Sequence, residues 1–160
     1  MELSPTKRGA TLPGASAEAV AIRRRILAFE DRLREVPGAV EGDSDLCPLT
    51  HEYPPGLYVR TIFIPAGTVL TGKLHRHEHP NILQKGIVEV ATEHEGIQRL
   101  KGPMFMISKG LTKRALVAIT DVVWTTIHPN PDDCKKPEMI EEDIIIGDLT
   151  DYKEANPCLG

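Results

Sequence analysis

Gly72-Lys-Leu-His-Arg-His-Glu-His-Pro80 places three histidines, His75, His77 and His79, at alternate positions of one short run. Residues two apart on an extended strand project from the same face, so a strand here brings three imidazoles to one side. Neutral imidazole ligates zinc, iron, copper or nickel, and this spacing suits a metal site on a β scaffold. Pro80 is expected to end the strand, with His75 pointing inward and His79 nearest the strand end.

On both sides of this run the chain is cut into short apolar stretches by turn residues. Strands are expected at 57–64, 68–79, 82–84, 87–91, 97–100, 104–107, 115–119 and 122–128. Pro65-Ala-Gly67, Lys85-Gly86, Glu95-Gly96 and Lys109-Gly110 supply the punctuation between them. Short strands at such spacing predict an antiparallel barrel or sandwich. Its core should include Ile62, Ile64, Leu70, Val88, Phe105, Val117 and Trp124.

Before the strands, residues 1–15 read as an arm, and a helix is expected over 16–36. Ser16 suits its N-cap, and Pro37-Gly38 stops it. Ala19, Ile22, Ile26, Phe29, Leu33 and Val36 recur at spacings of three and four, a narrow apolar stripe. That stripe either covers its own domain or, through Ile22, Ile26, Phe29 and Leu33, docks on a second subunit or a larger assembly. Residues 37–56 read as a loop. After Pro137, Met139, Ile140, Ile144 and Ile145 lie at helical spacing among acids, giving a short helix over 138–146. The chain thus divides into an arm, helix and loop (1–50), a β-barrel (51–130) and an acidic extension with a short helix (131–160).

A net charge of −4 over 160 residues, and a basic Arg23-Arg24-Arg25 run without interleaved aromatics, argue against nucleic acid as partner. No apolar run approaches the ~18 residues of a membrane span, and the charged N-terminus is not that of a secretory signal. Cys47, Cys134 and Cys158 are odd in number and far apart, which suits reduced thiols. No nucleophile elbow or phosphate-binding glycine loop is present.

Gly72, His75, His77 and Gly86, following Pro65-Ala-Gly67, resemble the first motif of the cupin superfamily. That motif has an acidic ligand where Ile82, Leu83 and Gln84 stand here, and Glu78 would lie on the opposite strand face. Ser108-Lys-Gly110-Leu-Thr-Lys113 aligns with the second motif and puts Lys113 where its metal-binding histidine belongs. A protonated lysine has no lone pair to give a cation.

A narrower resemblance runs through Arg24-Arg-Ile-Leu27, Cys47-Pro48, His51, Pro55-Gly-Leu-Tyr-Val-Arg60, Ile64-Pro-Ala-Gly67, Gly72-Lys-Leu-His75, Glu78-His79, Asn81-Ile82, Lys85-Gly86, Gly110, Thr112-Lys-Arg114 and Val123-Trp-Thr-Thr-Ile-His128. In this order they are similar to small cupin-type proteins encoded by tailed bacteriophages and prophages. The resemblance implies a mainly β fold, a cupin-like antiparallel jelly-roll barrel with an N-terminal helix and a short C-terminal helix. It implies a phage origin, in the virion or the host cytoplasm, and no particular reaction.

Two functions follow as expectations. The first is a non-catalytic virion-associated module, homo-oligomeric or docked on phage virion proteins. The alternative is a metal-dependent cupin enzyme of isomerase, dioxygenase or hydrolase class, acting on a sugar- or nucleotide-like metabolite. One divalent transition metal (zinc, iron, manganese or nickel) would be held among His75, His77, His79 and His128, with His51 and Glu78 left open. Lys113 and Arg114 are expected at the same cavity, where they would receive a carboxylate or phosphate. Metal affinity should fall as pH drops through about 6.5, where ordinary imidazole protonates.

Overall fold

In the computed structural model, residues 16–40 and 43–146 are described. Helix α1 (Ala17–Arg34) opens on Ser16, whose Oγ accepts from the Ala19 N–H at 3.1 Å, satisfying one of the orphan donors of the first turn. The strands that follow are β1 (Leu49–Glu52), β2 (Leu57–Ile64), β3 (Val69–Thr71), β4 (Leu74–His75), β5 (His79–Lys85) and β6 (Ile87–Thr92). Then come β7 (Gly96–Lys101), β8 (Met104–Ser108), β9 (Arg114–Ala118), β10 (Val122–Pro129), helix α2 (Pro137–Ile144) and β11 (Ile145–Ile146). Among the described residues no helix is long and apolar enough to cross a membrane.

The strands form two facing antiparallel sheets. One has the order β1-β2-β10-β5-β8, the other β3-β9-β6-β7, and β4 pairs separately with β11. Alternation along each strand decides what enters the barrel. Ile64, Leu83, Val122 and Trp124 of the first sheet meet Val88, Val90, Leu116 and Ala118 of the second, with Cys47 beside them. Ile62 and Leu70 pack against this core. Phe105 and Val117, also expected inside, sit one register position off: Phe105 is 62% exposed, and Val117 lies opposite Val69 and Glu89 on the outward side. A one-residue error in parity reverses a side chain's face.

The histidine run is not one strand. β4 stops at His75, residues 76–78 bend, and β5 starts at His79. The bend is clamped from two sides. Leu111 N–H donates to His75 O at 2.7 Å, and Arg76 N–H donates to Ile144 O at 2.8 Å. A Cβ on Gly110 would come within 2.8 Å of Arg76 O, so the turn lies against the bend with no room for a side chain. Pro80 lies inside β5 rather than ending it. It pairs with Ile107 of β8, while β10 reaches only to Asn81, so its missing N–H removes no bond to β10. Strand β1 falls in the stretch read as loop. Helix α2 ends at Ile144 instead of continuing to 146, because Ile145 and Ile146 pair with His75 and Leu74.

Helix α1 lies on the chain's own four-stranded sheet, touching β3, β6 and β9. Ile26 is buried there, while Ile22, Phe29 and Leu33 are half-buried. Polar contacts fix the docking. Lys113 Nζ donates to Glu30 Oε1 at 2.6 Å and to Gly72 O at 2.8 Å, and Thr71 Oγ1 donates to Glu30 at 2.7 Å. Burial works against ionising Glu30, and the Lys113 and Thr71 bonds outweigh it and hold its carboxyl below the ordinary range. Arg23 donates to Leu111 O at 2.8 Å and lies 3.6 Å from the buried Glu93. Residues 1–15 and 147–160, hence the arm, Cys158 and the end of the acidic extension, lie outside the described residues; Cys47 and Cys134 are free thiols.

Candidate metal centre

The first sheet lines the barrel in registered layers. Ile62, Trp124, Leu83 and Met104 form one, and Arg60, Thr126, Asn81 and Met106 the next. Beyond them Tyr58 lies opposite His128, and His79 opposite Ser108. The interior therefore passes from hydrocarbon through a polar layer to imidazole within five residues of strand. His75 joins this last layer from β4, which pairs with β11 after helix α2.

His75, His79 and His128 form one group, with potential ligand atoms all within 4.8 Å of one another. Ring centroids are 4.4 Å apart for His75–His79, 4.9 Å for His75–His128 and 4.7 Å for His79–His128. His79 and His128 are buried, and His75 is half-buried as a residue. Burial first, then the neighbouring imidazoles and arginines, push His75 down to about 2. Burial, His79 and Arg60 push His128 down to about 3. Burial, partly offset by the hydrogen bond to His77 O, lowers His79. All three are neutral near pH 7, the state in which imidazole ligates. With the imidazoles held below the ordinary value, the fall in affinity expected through pH 6.5 moves to lower pH.

Hydrogen bonding separates the two nitrogens of His79. Its Nδ1 lies 3.0 Å from His77 O, which places the proton there and leaves Nε2 as a lone pair. Nε2 of His79 and Nε2 of His75 are both buried without a hydrogen-bond partner. Buried polar atoms are rarely left so, and a cation shared with His128 would satisfy them. The three-nitrogen donor set suits zinc, iron, copper or nickel and leaves coordination positions open.

Several sequence expectations separate here. His77 is exposed on the bend and outside the group, because alternation holds only along an unbroken strand. Glu78 is exposed too. His51 stacks on Tyr58, its Nδ1 2.7 Å from the Tyr58 hydroxyl, rather than joining the histidines. Lys113 does not reach the cavity, being engaged with Glu30 and Gly72 under helix α1. Its neighbour Arg114 points to the other side of β9 and donates to Ser108 Oγ. Burial lowers Arg114, and the more distant Glu95 and Glu93 partly compensate.

The sequence reading missed Tyr58, Arg60, Asn81 and Ser108. Tyr58 is wholly buried beside His128, and burial above all pushes its hydroxyl up to about 12. Asn81 accepts from Trp124 Nε1 at 2.9 Å and donates to Ser108 Oγ at 2.5 Å. Only the alternation of β2, β5 and β8 could have signalled these residues, and its sense depends on which strands they pair with.

Neither a protein-family model nor a curated protein matches the chain. Solved structures do. A salicylate 1,2-dioxygenase variant from Pseudoaminobacter salicylatoxidans aligns with 77% of this chain and 35% of its own, at 14% identity and TM-score 0.50. KdgF from Halomonas sp. aligns over 58% of this chain and 89% of its own, at 21% identity and TM-score 0.46. A cupin superfamily protein from Desulfitobacterium hafniense aligns over 57% and 84%, at 6% identity and TM-score 0.45. At such identities the likeness is one of architecture: the chain has a cupin-like jelly roll, with one helix before the barrel and a short one after it.

Proposed function

We propose that this chain is a metal-dependent cupin-fold enzyme of isomerase, dioxygenase or hydrolase class, with His75, His79 and His128 holding one divalent transition ion. The observation that carries the reading is the pair of buried, unpartnered Nε2 atoms of His75 and His79 facing a third imidazole. A bound ion would supply Lewis-acid polarisation of a substrate oxygen or a more acidic bound water. The chain's own residues hold the site in place. His77 O fixes the tautomer of His79, the β4–β11 pairing fixes His75, and Tyr58 and Thr126 flank His128. Tyr58, packed on Ile140 and Ile144 of helix α2, walls the imidazoles on one side.

Elemental analysis of the purified full chain tests this, together with zinc titration of metal-free protein. About one ion per chain is expected, falling away in His79→Gln and His128→Gln. A wild-type protein that takes up no transition metal would end the reading. The resemblance to phage-encoded proteins supports a second one, a non-catalytic virion module or homo-oligomer. The observation favouring it is the outer face of the five-stranded sheet, where Phe63, Phe105 and Ile107 are exposed. A metal-free oligomer by solution mass would favour that reading.

A further inference from the structure

Two guanidinium groups, those of Arg60 and Arg114, belong to the inner faces of the two sheets at this end of the barrel. Arg60 belongs to the inner face of β2, opposite Thr126 and one layer from the Tyr58–His128 pair. One of its arms lies 3.3 Å from Glu141 of helix α2, and its Nε is buried with no partner. Glu141 is shared with Lys73 at 2.8 Å, so its charge is divided. Arg114 enters from the opposite sheet, where its register partner is Thr92. It donates to Ser108 Oγ, and Ser108 lies across from His79. Among the described residues no carboxylate forms an ion pair with Arg114. Both oxygens of Glu93 accept instead from the Lys113 N–H at 3.0 Å, beside Arg23.

A metal ion would add positive charge to this end of the barrel, with three neutral ligands to offset it. Buried charge without a full counter-charge is costly, so an anion at this end of the barrel would be stabilised. Guanidinium forks match the paired oxygens of a carboxylate or phosphate. We propose that Arg60 and Arg114 form an oxyanion subsite beside the three histidines, which receives the carboxylate or phosphate of a small metabolite. The position of that subsite relative to the reacting end of the metabolite rests on the metal-centre reading; the anion binding itself does not.

The test is calorimetric titration of metal-free full-length protein with malonate and, separately, inorganic phosphate, at constant ionic strength in chloride. Saturable one-to-one binding of at least one is expected, and the tighter of the two tells carboxylate from phosphate. Arg60→Met and Arg114→Met should each weaken it at least about tenfold, the scale of one lost charge-assisted hydrogen bond. The Trp124 indole N–H resonance gives a readout in the unaltered protein. Its Nε1 leads through Asn81 and Ser108 to Arg114, so the resonance should move as the anion binds. No saturable binding of either anion, no movement of the indole resonance, or unchanged affinity in both variants would overturn the subsite. Zinc titrated in parallel keeps the readings apart. Zinc uptake without anion binding overturns the subsite alone, whereas anion binding without zinc uptake supports it and removes the metal centre.

Discussion

Lowering the pH from 7 to 5 should destabilise the metal-free protein steeply, because the unfolded chain binds protons that the folded chain refuses. In the folded state His75 and His128 are held at about 2 and about 3. In the unfolded state each returns to roughly 6.5. Between those values the unfolded state carries more protons, so stability rises with pH and is lost as pH falls from about 6.5 toward 3. Each such imidazole costs about 2 kcal/mol between pH 7 and 5, or about 4 kcal/mol for the two. His79 is lowered as well and acts in the same direction. Against a typical total of about 5–15 kcal/mol, that is a large fraction. The assay is urea unfolding at pH 7, 6 and 5 with a chelator present. His128→Gln should reduce the pH-dependent loss by about 2 kcal/mol whatever its effect at pH 7, since one titrating base is gone. A wild-type loss below about 1 kcal/mol over this range would refute the buried, neutral imidazole cluster. So would an undiminished loss in His128→Gln.

Lys113→Met should lower stability by about 3 kcal/mol by stranding the carboxylate of Glu30, and should leave zinc affinity unchanged; a tenfold drop in affinity would return Lys113 to the cavity. Ile26→Asp should destabilise the isolated chain by at least about 2 kcal/mol, since it buries an unpaired charge against the four-stranded sheet; urea unfolding at low protein concentration separates this from a loss of assembly. Ile144→Ala, in the buried cluster with Tyr58 and Ile140, should cost about 2–5 kcal/mol. It should also weaken zinc binding, measured by competition with a chromogenic chelator, because losing the side chain that anchors this segment on Tyr58 and Ile140 loosens the backbone whose carbonyl holds Arg76 in the bend that aims His75.

Where the physics is local, the sequence shows it plainly. Ser16 caps α1 as its side chain suggests, β2 spans 57–64, and Lys85-Gly86 turns with a φ of 101° at Gly86 that glycine alone adopts readily. A Cβ there would also strike Asp121 O. The apolar stripe of α1 is legible, but the surface that receives its inner residues is not. Ile26 meets a sheet whose strands come from up to ninety residues further along the chain. The C-terminal isoleucines show the competition directly. Helical spacing continues through Ile145, yet β-branched residues fit a strand well, and the free edge of β4 offers the pairing that ends the helix.

The candidate site is the least legible part, because alternation gives a strand two faces without saying which is inside. Three histidines two apart look equivalent until a bend is placed between His75 and His79, and no residue of the run demands that bend. Its causes are distant: the Leu111 N–H, the close approach of Gly110, and the Ile144 carbonyl. The same ambiguity governs the basic pair. Lys113 and Arg114 are neighbours and so must face opposite ways where the strand begins; one secures helix α1, and the other enters the barrel. Arg60 gives no signal in the sequence, since one arginine in an apolar strand reads as a solvated position. Pairing of β2 with β10 puts it in the layer beneath His128, where Glu141 of helix α2 meets one of its arms and its Nε is left without a partner.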